Sequence, residues 1–231
     1  MRLLVIGAAG RLGTCLVEQA IEHGHEPISF VRNPNNYGTS HTRLTLVKGD
    51  VLDAASVQSA VEQCHVVLAA IAPKLKFRQK TQIFSRGVEN LLNAFSRSRR
   101  RLVWVTTAGV DPQDLAATGF FFSRIFKPLF LEGVYTDCAL SESKLKGSTA
   151  EWIVIHPTRL TNRPRTGNYR VDPWHTPARG KELFPVLGTV ANKCLKPPLA
   201  IRHRNAARSR YSVIPMNSIN LSSNRFKRSR D

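Results

Sequence analysis

The chain has 231 residues, 42% hydrophobic and 22% charged, which suits one globular domain or a domain with a tail. Lys and Arg number 34 against 16 acidic residues, a net charge of +18. The near-average hydrophobic and charged fractions exclude collagen-like, wholly disordered and disulfide-scaffold classes, and no stretch approaches the roughly 18 consecutive apolar residues of a membrane span.

Residues Arg2–Ile6 form a continuous apolar run that stops at Gly7. Such a run predicts a strand buried on both faces, as in a parallel sheet covered by helices. It is too short for a secretory signal, so a cytoplasmic location is expected. Leu12, Leu16, Val17, Ala20 and Ile21 then share one helical face, with Gly24 placed to end the helix. Pro27–Val31 and Leu44–Val47 read as the second and third strands. Asp53 is placed to cap a helix whose apolar face is Val57, Val61 and Cys64. Val66–Ile71 reads as a fourth strand, and Thr81–Phe95 as a helix with Ile83, Val88, Leu91, Leu92 and Phe95 inward. Leu102–Val105 reads as a fifth strand, Leu140–Leu145 lies in a helix, and Trp152–Ile155 reads as a sixth strand. The alternation predicts an α/β fold with a doubly wound, mostly parallel sheet.

The turn after the first strand is Gly7-Ala8-Ala9-Gly10-Arg11-Leu12-Gly13. Between a buried strand and an amphipathic helix, each glycine has its own reason. Gly7 permits the tight turn, Gly10 lets a pyrophosphate approach the backbone, and Gly13 lets the helix pack on the sheet. The helix N-terminus offers free N–H groups to the phosphates. Ala9, Arg11 and Leu12 complete the expected contact set.

The spacing G-x-x-G-x-x-G resembles that of the extended and atypical short-chain dehydrogenase/reductase families, and within them looks most like the NAD(P)H-binding NmrA-like group with its biliverdin reductase B-like enzymes. Further segments carry the resemblance: Val31-Arg32-Asn33-Pro34, Gly49-Asp50-Val51-Leu52-Asp53, Val105-Thr106-Thr107-Ala108-Gly109, Trp152 to Thr161 and Thr166 to Val171. It covers about residues 1–175 and implies a Rossmann-like fold. The implied activity is that of an oxidoreductase moving hydride between NADP(H) and a small carbonyl, flavin or conjugated substrate. The alternative within the group is a regulatory protein that binds the dinucleotide without turnover.

Arg32 stands 19 residues after Gly13, where NAD-specific sites carry a carboxylate. An arginine there pairs with a 2′-phosphate, and Arg11 is placed to join it, which favours NADP(H). Arg32 also reads as a plain solvated cation. Asp50 and Val51 occupy the position that contacts adenine in the family; Asp50 equally reads as a turn residue. Ala72, with Pro73, is expected beside the cofactor. Thr107 is placed to bond a substrate carbonyl or the nicotinamide, or to cap a turn. His156, where relatives often have arginine, is placed as a donor to either, or as a structural histidine. Tyr135 begins a Tyr-x-x-x-Lys pattern that fails at Ala139. Without that cation it has no reason to become a better acid and reads as a packing aromatic.

Residues 1–171 hold 22 basic and 13 acidic residues, and 172–231 hold 12 and 3. Prolines 173, 177, 185, 197, 198 and 215 interrupt the second part, and Arg225 to Arg230 form a basic cluster. The expected organisation is a dinucleotide-binding domain over 1–171 and an irregular, poorly ordered basic extension over 172–231. The extension reads as a solvated tail, as a weak contact for nucleic acid or an anionic surface, or as a C-terminus altered by a shifted frame. The cysteines Cys15, Cys64, Cys138 and Cys194 show no CxxC or metal spacing, so buried or free thiols and no metal are expected.

Overall fold

The computed structural model describes residues 1–74, 77, 80–96, 100–107, 110, 129–157, 160–161, 211–216 and 219–220. The expected segments Ala108-Gly109 and Thr166 to Val171, the boundary at 171–172 and the cluster Arg225 to Arg230 lie outside them.

The elements in chain order are β1 (Arg2–Ile6), α1 (Arg11–Glu22), β2 (Glu26–Val31), β3 (Thr45–Lys48), α2 (Ala54–Glu62), β4 (Val66–Ala69) and α3 (Ile83–Phe95). There follow β5 (Arg101–Val105), α4 (Glu132–Lys146), β6 (Glu151–Pro157), β7 (Leu160–Thr161), β8 (Tyr211–Met216) and β9 (Ile219–Asn220). Seven strands form one sheet in the order β3-β2-β1-β4-β5-β6-β8, with every pair parallel. The short β7 and β9 pair separately. The chain winds outward from β1 to β3, returns to β4, and winds outward the other way. The reversal leaves a crevice beside the carboxyl end of β1, where ligands bind in sheets of this kind.

Period-two alternation sends side chains to two cores. Leu4, Ile6, Ile28, Phe30, Val67, Leu102 and Trp104 face a layer with Val57, Val61, Val88, Leu91 and Leu145. Leu3, Val5, Val31, Leu68, Val103 and Ile155 face Leu12, Leu16, Val17 and Ala20 of α1. Each such Val, Leu or Ile contributes on the order of 1.5–3 kcal/mol by leaving water. Gly24 ends α1 with φ of 77°, and its N–H donates to Ile21 O.

Three details differ from the sequence expectation. The fourth strand ends at Ala69, two residues early. The helix expected around Leu140–Leu145 begins at Glu132. Its inner face is polar, with Asp137, Ser141 and Glu142 buried beside Cys138 and Leu145, so apolar periodicity cannot mark its first half. Lastly, Tyr211–Met216 pairs with β6 as an edge strand, an arrangement that tolerates Pro215.

Two carboxylates cap helices. Asp53 accepts from Ala55 N and Ser56 N at the start of α2. The α3 cap is tertiary: Phe84 N and Ser85 N donate to Asp137 of α4 at 2.9 and 3.0 Å, while Gln82 makes no side-chain cap. Asp137 is buried, so its removal strands two amides away from water. Asp137→Ala is expected to cost about 1–3 kcal/mol, and exposed Asp53→Ala about 1 kcal/mol, by urea unfolding.

Candidate functional site

The site is built on the turn between β1 and α1. Gly7 has φ of +82°, and a Cβ there would sit 2.4 Å from Ala70 O. Gly10 N donates to Gly7 O at 2.9 Å and closes the turn. A Cβ on Gly13 would lie 2.1 Å from Gly7 O and 2.7 Å from Ala8 Cα, so α1 rests directly on the backbone of the turn. Gly10 is different. Its Cβ would meet Gly7 O at 3.2 Å and nothing else within 4 Å, and Gly10 lines a cavity of about 720 Å³. The turn thus presents bare backbone to open space.

The N-terminus of α1 points into that space without a partner from its own sequence. Gly10 is its N-cap and supplies no side chain, and the first turn holds no acidic residue. The contrast with α2 and α3, each capped by a carboxylate, is electrostatic. The partial positive charge of α1 remains available to an outside anion.

The cavity runs along the carboxyl ends of the strands. On one side its wall is Ala9, Arg11, Leu12 and the end of β2, Phe30, Val31 and Arg32, followed by Gly49 and Val51. Arg11 and Arg32 are both exposed. The Ser29 and Tyr37 hydroxyls share a 2.8 Å hydrogen bond that holds the loop carrying Arg32 to the strand. Asn90 Nδ2 donates to Val51 O at 2.9 Å and fastens the Val51 loop to α3. On the other side the wall is Ala70 to Lys74, Ile83 and Phe84, then Val105, Thr106 and Thr107, with Val134, Cys138 and Pro157. Lys74, exposed, is the charged residue among them; the rest is apolar apart from the two threonines and the cysteine.

Of the residues singled out in the sequence, Gly7, Ala9, Gly10, Arg11, Leu12, Arg32, Val51, Ala72 and Thr107 line this one cavity. Gly13 lies beneath the turn. Asp50 is not in the wall: its Oδ1 accepts from Leu52 N at 2.9 Å, and its own N–H donates to Ser56 Oγ. His156 is 5% exposed and sits behind the wall, its Nε2 bonded to Glu142 Oε1 at 2.8 Å. The same Oε1 accepts from Thr106 Oγ1 at 2.8 Å.

Tyr135, whose pattern lacks its lysine, has its hydroxyl hydrogen-bonded to the Thr107 side chain. Burial raises its pKa above the usual phenol value, and the Thr107 bond opposes that rise. The phenol is therefore protonated at neutral pH. Ala139 is exposed on α4. Cys138 is fully buried, and burial, with Glu142 and Asp137 nearby, pushes its thiol far up; it is no nucleophile. Glu142 and Asp137 gave no signal in the sequence, because their partners lie 14 to 53 residues away. Among the described residues no group of His, Cys, Asp or Glu could hold a metal ion, and no helix is long and apolar enough to cross a membrane.

Residues 7–184 match a family model described as NAD(P)H-binding. The chain is 30% identical over 176 residues to cinnamoyl-CoA reductase 1 of Petunia hybrida, covering 66% of this chain and 52% of that protein. It is 30% identical over 122 residues to dihydroflavonol 4-reductase of Callistephus chinensis, covering 46% and 33%. The chain thus spans about half or less of these curated relatives. Two solved structures share the fold. A short-chain dehydrogenase/reductase of Veillonella parvula in complex with NADP aligns with TM-score 0.71 at 16% identity, covering 94% of both chains. An anaerobillin reductase of Escherichia coli O157:H7 aligns with TM-score 0.70 at 15% identity, covering 94% of this chain and 97% of that one.

The glycines separate folding from binding. Gly13→Ala is expected to lose about 1–3 kcal/mol in urea unfolding, as overpacked sites do. Gly10→Ala is expected to lose less than about 1 kcal/mol, since it changes only the N-cap preference.

Proposed function

Because this chain belongs to the NAD(P)H-binding family, we propose that it is an NADP(H)-dependent reductase acting by hydride transfer on a small carbonyl, flavin or other conjugated substrate. The observation that carries this reading is the cavity itself. It crosses the bare backbone at Gly10 and joins two exposed arginines to Thr107, whose side chain is bonded to Tyr135.

In this reading the amides of the Gly7–Gly13 turn and the open end of α1 hold the diphosphate. Arg32 and Arg11 pair with the 2′-phosphate of the adenosine half. Val51, with Asp50 behind it, borders the adenine, and Ala72 lies alongside the dinucleotide. Thr107 orients the substrate carbonyl or the nicotinamide amide. The bound cofactor supplies the hydride, and the protein supplies orientation and a dry, apolar wall. Tyr135, protonated and fixed by Thr107, stands as the proton source for a substrate oxygen. Its raised pKa makes it a reluctant acid, so the gain it brings lies at the low end for acid catalysis. Buried cysteines outside any disulfide, Cys15, Cys64 and Cys138, suit a reducing cytoplasm.

The exposed Ala139 favours one second reading, a nucleotide sensor. No lysine stands at that position to lower the tyrosine's pKa, and binding without turnover is then the whole function.

Fluorescence titration with NADPH and NADH tests the first step. NADPH is expected to bind at least about tenfold more tightly, and Arg32→Glu to remove that preference, a loss of about 1.5–3 kcal/mol for a charge-assisted contact. Equal binding of both cofactors by the wild type sinks the NADP(H) assignment. Gly10→Ala is expected to weaken both. Following NADPH oxidation with FMN, biliverdin and quinones tests the second step. Tyr135→Phe is expected to lower kcat about 100-fold with KM for NADPH nearly constant. Binding without oxidation of any acceptor selects the sensor.

A further inference from the structure

We propose that Glu142 and His156 are positioning residues: with Thr106 they form a buried clamp that sets the geometry of the Thr107 end of the cavity. The proposal rests on the dinucleotide reading above, and it assigns His156 a role exerted through Glu142 instead of a contact with substrate.

One carboxylate oxygen, Glu142 Oε1, takes both Thr106 Oγ1 and His156 Nε2 at 2.8 Å. The His156 and Glu142 side chains are 7% and 6% exposed. The three residues stand on or at the end of β5, α4 and β6, so a single atom ties together three elements that meet at the site. Thr106 N also donates to Ile155 O at 3.0 Å, lacing the ends of β5 and β6. Each member adjoins a residue of the cavity wall. Thr106 is itself in the wall beside Thr107, and His156 precedes Pro157. Glu142 lies one helical turn after Cys138 and two after Tyr135, on the same face of α4. With Glu142 as a carboxylate, Oε1 can only accept, and Nε2 of His156 is then the donor. If the acceptor is removed, two buried donors lose their partner, and the β5 turn and β6 end are free to shift. The glycine turn and Arg32 belong to β1 and β2, across the crevice. They do not touch the clamp, so the adenosine half of the site is expected to ignore its loss.

The test uses Glu142→Met, Glu142→Gln and Thr106→Val in the full chain. In the free protein, proton NMR is expected to show a slowly exchanging His156 Nε2–H that Glu142→Met abolishes. All variants are expected to bind 2′-phospho-ADP-ribose, which lacks nicotinamide, within about twofold of wild type. Glu142→Met and Thr106→Val are expected to lose at least about half of the emission gain of bound NADPH and about tenfold in kcat, with KM for NADPH little changed. Glu142→Gln, which keeps an oxygen acceptor, is expected to recover much of both. If Glu142→Met does not fold, Thr106→Val, a hydroxyl-for-methyl exchange, decides alone. Unchanged emission in the folded variants, or a parallel loss of 2′-phospho-ADP-ribose affinity, overturns the clamp. A wild type that binds no NADPH overturns the dinucleotide reading and the clamp with it. A wild type whose NADPH emission responds to the variants but that reduces nothing leaves the clamp standing and removes the reductase.

Discussion

The first helix lies against the carbonyl oxygen of Gly7, and the geometry of the site follows from that contact. A side chain on Gly13 would overlap it. The approach fixes the direction of α1 relative to β1, and with it the direction of the unpaired amides at the helix start. Those amides then face the crevice where the sheet reverses its winding. A longer turn, or a helix held off by one methyl group, would aim them elsewhere. The site is therefore a consequence of close packing at one point, where the only accommodation is the absence of side chains.

Charge is distributed along the cavity in a matching way. Near the glycine turn the wall carries Arg11 and Arg32, and its helix end is uncapped. Farther along, past β4, the wall is mostly apolar: Lys74 is its one charged residue among the described residues, and its two threonines bond Glu142 and Tyr135. Polyanion recognition needs exposed, weakly hydrated cations, whereas hydride transfer needs a dry surface and fixed geometry. Both demands are met within one groove because the strands that supply them lie on opposite sides of the winding reversal.

The sheet was legible in the sequence because parallel strands covered on both faces leave unbroken apolar runs, as Leu3–Ile6 and Leu102–Val105 do. The glycine turn was legible because its spacing falls between such a run and an amphipathic helix. Local caps were legible too: Asp53 bonds amides two and three residues on. The Asp137 cap spans 53 residues, and no local pattern encodes it. The start of α4 was hidden for a related reason, since the face it buries is polar. Strand β8 was hidden by Pro215 and by the basic composition around it, features that an edge position permits. Tyr135 carries no local signal, because Ala139 breaks its Tyr-x-x-x-Lys pattern; its bond to Thr107 is a tertiary fact.

The polar inner face of α4 has a structural logic of its own. Asp137 takes two amides of α3, and Glu142 takes Thr106 and His156. Ser141 Oγ accepts from Trp104 Nε1 at 3.1 Å and donates to Cys138 O at 2.7 Å. An apolar face of similar size would hold the helix as strongly, but it would tolerate sliding or rotation by a fraction of a turn at small cost. Directional bonds to α3, β5 and β6 do not, because each displacement leaves a buried donor or acceptor unpaired. The helix thus gives up some hydrophobic burial and gains a fixed register. That register sets the distance from Tyr135 to Thr107, and so the shape of the far end of the cavity.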